Sequence, residues 1–430
     1  MTAQVFPLAS SLRKPEPASP LQRLRQALFV LYGEQPGFEA WYADLLARIH
    51  QLAAQRPESL KALDQQRRAR PAWFCSNQML AYSAYVDRFG ATLPGVQSRI
   101  PYLKELGVNL LHLLPFLRAR AGDSDGGFAV ARYDEVEPRL GTWADLQALS
   151  AALHQQGMSL CADFVLNHVA DDHPWALAAR AGDAAYQDFF HCVDSATQRD
   201  QWEATLGQVF PQTAPGNFTW VEALQTWVWT TFYPYQWDLN YGNPQVFSEV
   251  ALALLRLANV GVDVFRLDSI AYLWKQPGTR CMNLPQVHVI VQALRAITDT
   301  AAPGVLLLAE AIVPTQEIPP YFGSGAARGL ECHLAYHSSL MAGAWASLAE
   351  GHAELVRAVL TRTPRLPQPG SWISYVRCHD DIGWNVLRPE CETLGDTQGQ
   401  RLRAVSRFFA GETPGSYARG LAFQASDAQA

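Results

Sequence analysis

The chain reads as an α/β protein of the (β/α)8 type, a TIM barrel. Three observations predict this. Helical stretches alternate with short apolar strands, and most of the helices close at glycine or proline before the next strand begins. Those strands run into charged or polar residues, as strands do at the mouth of a barrel. No Gly-x-Gly-x-x-Gly loop follows any of them, which removes the dinucleotide signature of the doubly wound alternative.

Taken in order, residues 21–70 carry apolar side chains at helical spacing: Leu21, Leu24, Leu28, Leu31, then Trp41, Leu45, Ile49, Leu52. Residues 1–71 are therefore expected to form a helical N-terminal module closed by Pro71, with Arg67, Arg68 and Arg70 on a solvated helix end. A strand follows over 79–85. Helix 96–106 ends at Gly107 and leads to strand 108–114; helix 143–156 ends at Gly157 and leads to strand 159–164. Helix 244–259 precedes strand 262–267, helix 284–300 precedes strand 305–309, and a later strand spans 372–376. The barrel thus occupies 72–168 and 244–384, with 385–430 opening a loop after the last strand. A single crossover helix cannot fill 165–261, so 169–243 is expected to be an inserted subdomain at the mouth. Its aromatics (Trp202, Trp220, Trp227, Trp229, Phe232, Tyr233, Tyr235, Trp237) suit a small core, with one or two left to stack against a flat ligand face.

Composition narrows the classes. The chain has 430 residues, 49% of them hydrophobic and 17% charged, as in ordinary globular proteins. A net charge of −6 without a basic stripe argues against a nucleic-acid partner. No window approaches the roughly 18 unbroken apolar residues of a membrane span, and residues 1–12 lack the basic-then-apolar pattern of a secretory signal. Seven cysteines at irregular spacing do not make a disulfide framework, and Cys161 sits in an apolar run as a small buried hydrophobe. The expectation is a reduced, cytoplasmic protein.

The chemistry lies at the strand ends. Gly261-Val262-Asp263-Val264-Phe265-Arg266-Leu267-Asp268 is an apolar strand that finishes in two charges. On that octapeptide alone, an ion pair capping a strand is as good a reading as a ligand site. The other ends shift the balance: Asp125-Gly126-Gly127-Phe128 after the second strand, Asn167-His168 after the third, Glu310 after the fifth and His379-Asp380-Asp381 after the later one. Crowded carboxylates oppose folding unless chemistry uses them. A retaining glycosidase-type site does so, with one carboxyl as nucleophile and one as acid/base, ~5–5.5 Å apart. Glu331, His333 and His337 have the spacing of metal ligands on a helix, but no second cluster supports them and no metal is expected. Asp163 and Asp263 read as structural, and His112 as a polar residue of the barrel interior.

Four stretches carry a resemblance: Asp163-Phe164-Val165-Leu166-Asn167-His168, Phe265-Arg266-Leu267-Asp268, Ala309-Glu310-Ala311 and Cys378-His379-Asp380-Asp381. In that order they resemble the four regions of the α-amylase superfamily of glycoside hydrolases. Within it the chain is most similar to the amylosucrases, through Gln236-Trp237-Asp238-Leu239-Asn240-Tyr241, Trp274-Lys275-Gln276, Asn283-Leu284-Pro285-Gln286 and His379-Asp380-Asp381-Ile382-Gly383-Trp384. The resemblance implies that Asp268 attacks the anomeric carbon, that Glu310 is the acid/base, and that Asp380 holds sugar hydroxyls and favours the distorted ring. His168 and His379 would donate hydrogen bonds to the same glucosyl unit, Asp381 would bind substrate, Arg266 would orient Asp268, and Asp125 would close the pocket floor with Phe128 and Phe232 as stacking faces. It also implies sucrose as donor, an α-1,4-glucan as acceptor, release of fructose, and no cofactor.

Two departures stand out. Phe128 occupies a place where the family usually has tyrosine. The resemblance also ends at Gly415-Ser416-Tyr417-Ala418-Arg419-Gly420, ahead of the small polar tail 425–430, so an incomplete barrel is expected, with its eighth strand missing and two unpaired edges. The arginine that would pair with Asp125 lies beyond that point. Three outcomes stay open: sucrose-using transfer, hydrolysis or phosphorolysis on the same fold, and an inactive remnant that at most binds sugar.

Overall fold

The computed structural model describes residues 18–422; the N-terminal segment read for a leader and the tail 425–430 lie outside the described residues. Seven parallel strands in chain order make one sheet: β1 (Ala81–Ala84), β2 (Leu110–Leu113), β3 (Ser159–Val165), β4 (Val264–Asp268), β5 (Leu306–Ala309), β6 (Leu334–Tyr336) and β7 (Ser371–Ile373). The sheet curls as an incomplete barrel, in agreement with the expected fold class. Strands β2 to β5 are buried throughout, whereas β1 and β7 are partly exposed and each has one neighbour in the sheet.

The period of two sorts these strands into layers. Phe164, Phe265, Leu267 and Leu307 turn outward into the main core beneath the helices. Leu110, Cys161, Val264, Leu306, Leu308 and Leu334 turn inward and form a separate cluster. A cavity of about 730 Å³ adjoins that inner face and reaches from Ala81 on β1 to Trp372 on β7.

The helices pack where their apolar stripes dictate. α1 (Pro20–Tyr32) and α2 (Phe38–Gln55) share the main core with α4 (Pro244–Val260) and α5 (Pro285–Ala301), while α3 (Glu58–Arg68) docks through the polar partners of Asp64 and Arg67. α4 ends at Gly261 in the left-handed region (φ 110°), where an added Cβ would lie 2.3 Å from Ser150 Oγ, so only glycine closes this helix.

The structure corrects four sequence expectations. The stretch 96–106 is two helices, Leu93–Ser98 and Ile100–Glu105, because Pro101 lacks the N–H that would continue the ladder to Gln97. β6 was not anticipated, and Glu331, His333 and His337 flank that strand rather than share a helix face. Glu331 instead takes His288 and Gln292, His333 accepts from the Leu307 N–H, and His337 accepts from the Leu340 N–H at the start of a helix. Arg67 is buried, not solvated, and donates to Asp263 at 2.6 Å. Strands 108–114 and 372–376 shorten to β2 and β7.

Residues after β3 build a small three-stranded antiparallel sheet, Cys192–Val193, Thr226–Trp229 and Phe218–Val221, and a two-stranded ribbon in which Gln236–Asp238 pairs with His168–Ala170. Most of the aromatics there are packing: Trp229 and Trp237 are 2% and 1% exposed. Phe232 and Tyr233 face the mouth instead. Among the described residues no helix is long and apolar enough to cross a membrane, and all seven cysteines are free.

Candidate active site

Alternation along β4 puts Val264, Arg266 and Asp268 on the inner face, and register sets Arg266 directly beside Asp163 of β3. A guanidinium and a carboxylate therefore meet inside the sheet. Arg266 Nη1 donates to Asp163 Oδ1 at 2.6 Å and to Asp268 Oδ1 at 2.8 Å. Its Nη2 lies 4.0 Å from Glu310 Oε1 and 3.7 Å from Asp380 Oδ2. One buried cation thus sits among four carboxyl groups. Burial alone would raise Asp163, but Arg266 and His112, the latter 3.0 Å away, outweigh it and hold the carboxyl at about 2.

Ser269 joins the two acids that the sequence analysis singled out. Its backbone is left-handed (φ 53°), an uncommon conformation for a residue with a side chain. In that pose its N–H donates to Glu310 Oε2 at 2.8 Å and its hydroxyl to Asp268 Oδ2 at 3.0 Å. Both carboxyls are held from one residue. Burial pushes the Glu310 carboxyl up to about 7, with Asp268 and Asp380 adding to the shift and Arg266 opposing it. A carboxyl that is protonated near neutrality beside one gripped by an arginine is a division of labour suited to acid and nucleophile.

The remaining candidates converge on the same cleft, of about 1000 Å³. His168 is 1% exposed and its Nε2 is buried without a hydrogen-bond partner among the described residues. Behind it stands a polar support. The Lys275 ammonium, with 1% of its side chain exposed, lies 2.6 Å from Asp238 Oδ2 and also donates to the Tyr272 carbonyl. Asp238 takes Asn167 Nδ2 at 3.0 Å and Thr231 Oγ1 at 2.6 Å, and Asn167 abuts His168 Nδ1. Phe232 packs 5.2 Å from the His168 ring. Asp125 accepts from Gln236 Nε2 at 3.2 Å, and burial raises its carboxyl. Phe128 stacks on His379 at 5.3 Å and 12°, so one ring face is already occupied by the imidazole. His379 Nε2 lies 3.1 Å from Asp380 Oδ1, while Asp381 is exposed at the rim.

All ten candidate residues therefore line or edge one cleft. Sequence reasoning passed over Ser269, whose only signal is its place after Asp268, and Tyr85, which stands edge-on to His379 at the end of β1. It took Asp163 as structural without seeing that Arg266 is its partner. The register of β3 on β4 supplies that.

Comparison with known proteins gives the wider setting. The family model described as alpha amylase, catalytic domain, matches residues 65–364. Among curated proteins the chain is 32% identical over 333 residues to a trehalose synthase of Pimelobacter sp. (strain R48), covering 74% of this chain and 57% of that protein. It is 33% identical over 349 residues to a glucosylglycerate phosphorylase of Escherichia coli (strain K12), covering 79% and 59%. The chain spans little more than half the length of these relatives. A solved sucrose 6F-phosphate phosphorylase from Thermoanaerobacter thermosaccharolyticum superposes with a TM-score of 0.63 at 21% identity, covering 79% of this chain and 66% of that one. An isomaltulose synthase from Erwinia rhapontici NX5 gives 0.59 at 19% identity, covering 70% and 57%. At such identities the likeness speaks to the fold.

Proposed function

Because the chain belongs to the alpha-amylase family of catalytic domains, we propose that it transfers an α-glucosyl unit with retention, taking it from sucrose and passing it to an α-1,4-glucan. Asp268 attacks the anomeric carbon as Glu310 gives its proton to the departing fructosyl oxygen. The glycosidic bond breaks, a glucosyl ester forms on Asp268, and fructose leaves. The glucan hydroxyl then loses its proton to Glu310 and attacks the same carbon, which frees Asp268 and restores Glu310. Donor bond energy drives both halves, so no cofactor is required. Asp380 and His379, with His168 opposite, receive the glucosyl hydroxyls, Asp125 closes the floor, and Phe128 and Phe232 bound the apolar side. Asp381 lies at the rim, on the path of the acceptor.

The observation that carries this reading is the linkage through Ser269. Asp268 takes a guanidinium while Glu310, on the same serine, is held near neutrality. Sucrose as donor rests on the stretches that resemble the amylosucrases, Trp274-Lys275-Gln276 and His379-Asp380-Asp381-Ile382-Gly383-Trp384 among them. A second reading, phosphorolysis, has its support in the likeness to the glucosylglycerate phosphorylase: phosphate would attack the glucosyl ester and release glucose 1-phosphate.

Purified protein incubated with sucrose and a short maltooligosaccharide, with and without phosphate, separates these. Fructose with chain extension and little free glucose is the expected result. Equal fructose and glucose would mean hydrolysis, and phosphate-dependent glucose 1-phosphate would favour the second reading. No release from sucrose or any other α-glucoside would overturn both.

A further inference from the structure

Cys378, His379 and Asp380 offer three different donor atoms within 4.8 Å of one another. Asp380 is flanked on both sides: Cys378 Sγ lies 3.4 Å from Oδ2 and His379 Nε2 lies 3.1 Å from Oδ1. In tetrahedral zinc the metal stands ~2.3 Å from sulfur and ~2.0–2.2 Å from nitrogen or oxygen, so neighbouring donors are about 3.3–3.6 Å apart. The observed spacings run to different oxygens of Asp380, and with one donor atom from each residue the three lie within 4.8 Å, so side-chain rotation of Asp380 and Cys378 would bring them around one ion. We propose that this triad binds a zinc-class divalent cation and that occupancy inhibits the enzyme.

The donor set decides which cation. Thiolate, imidazole and carboxylate together suit zinc, cadmium or cobalt and disfavour magnesium and calcium, which prefer all-oxygen shells. His379 is held with Nε2 beside Asp380 by its stack on Phe128, and its Nδ1 is buried with no hydrogen-bond partner among the described residues. Charge favours a cation too. Asp380 shares its neighbourhood with Asp268, Glu310 and Asp163, against the guanidinium of Arg377, which donates to the Asp380 carbonyl, and that of Arg266. That guanidinium has its short contacts, 2.6 and 2.8 Å, with Asp163 and Asp268, and only a 3.7 Å approach to Asp380. A metal on Asp380 therefore leaves Arg266 its two short contacts. The three residues also line the cavity on the sheet's inner face, which provides a path from solvent. On binding, the Cys378 thiol releases its proton to water as the sulfur–metal bond forms. No oxidant or reductant takes part.

Inhibition rests on the proposed function, because the metal would occupy two groups assigned there to sugar hydroxyls; binding does not. The test titrates the full chain with Co²⁺ and follows the thiolate-to-cobalt charge-transfer band, then repeats the titration on Cys378→Ser and Cys378→Ala, with thermal unfolding as the check that both are folded. Activity on sucrose is measured with Zn²⁺ and again after EDTA. Expected are one cobalt site, a band lost in both variants, affinity for Zn²⁺ weakened at least about tenfold, and inhibition that EDTA reverses. A missing band, or one that survives in the variants on another thiol, overturns the proposal. Tight binding without inhibition overturns the placement on Asp380. A Cys378-dependent band in a protein inactive on every α-glucoside keeps the metal site and overturns the proposed function instead.

Discussion

Replacing Glu310 by glutamine tests the electrostatics of the cleft without touching its shape. The amide can still accept from the Ser269 N–H, but it cannot ionise. In the parent, Glu310 moves from an ordinary value of 4.5 to about 7, chiefly through burial, with Asp268 and Asp380 adding. A carboxyl whose folded value is raised stabilises the fold in its protonated form, and that stability is lost as pH rises through the folded value. The shift of 4.5 to about 7 corresponds to roughly 3 kcal/mol, and the 13% of the side chain left exposed draws this toward about 2. Urea unfolding followed by tryptophan fluorescence should therefore find Glu310→Gln and parent equally stable below about pH 4.5. The variant should gain progressively, reaching roughly 2–3 kcal/mol by about pH 8. A difference that stays flat across this range, or a variant less stable at the alkaline end, would refute the burial of Glu310 beside like charges.

Three further outcomes follow from the same geometry. Asp268→Asn should abolish turnover while its thermal midpoint stays at or above that of the parent, since crowded charge is relieved; a midpoint several degrees lower would return Asp268 to the role of a structural ion pair. If Glu310 donates the proton, kcat/KM should fall about tenfold per pH unit above about 7, and a profile flat to about pH 9 would exclude it. Arg67→Ala strands the buried Asp263 carboxylate with only His154 and the Leu160 N–H. It should cost about 3–5 kcal/mol in urea unfolding, and a loss below about 1 kcal/mol would show that those two suffice.

Much of the barrel was legible because its signals are local. The strand over 159–164 carries period-two apolar residues, and Gly107, Gly157 and Gly261 mark where helices stop. What escaped depends on partners distant in sequence. Arg67 looks like part of a basic surface cluster until Asp263, 196 positions away, is brought beneath it. β6 has only three residues between His333 and His337, too few for a period to show. At the site, the carboxylates, histidines and Arg266 could be read from strand ends. Their mutual arrangement could not, because it depends on which residue of β3 lies opposite which residue of β4, and on the unusual backbone of Ser269. Phe128 illustrates the difference: its chemistry could be read in advance, but not that His379 would cover one side of it.

Lys275 gives the wall behind His168 a positive charge that belongs to the chain itself. An ion held only by coordination can be stripped away by a chelator; an ammonium tethered by four methylenes cannot leave. The His168 imidazole should accordingly keep its seat in EDTA, which would make chelation a clean way to empty the proposed site at Cys378, His379 and Asp380 while the opposite side of the cleft stands undisturbed.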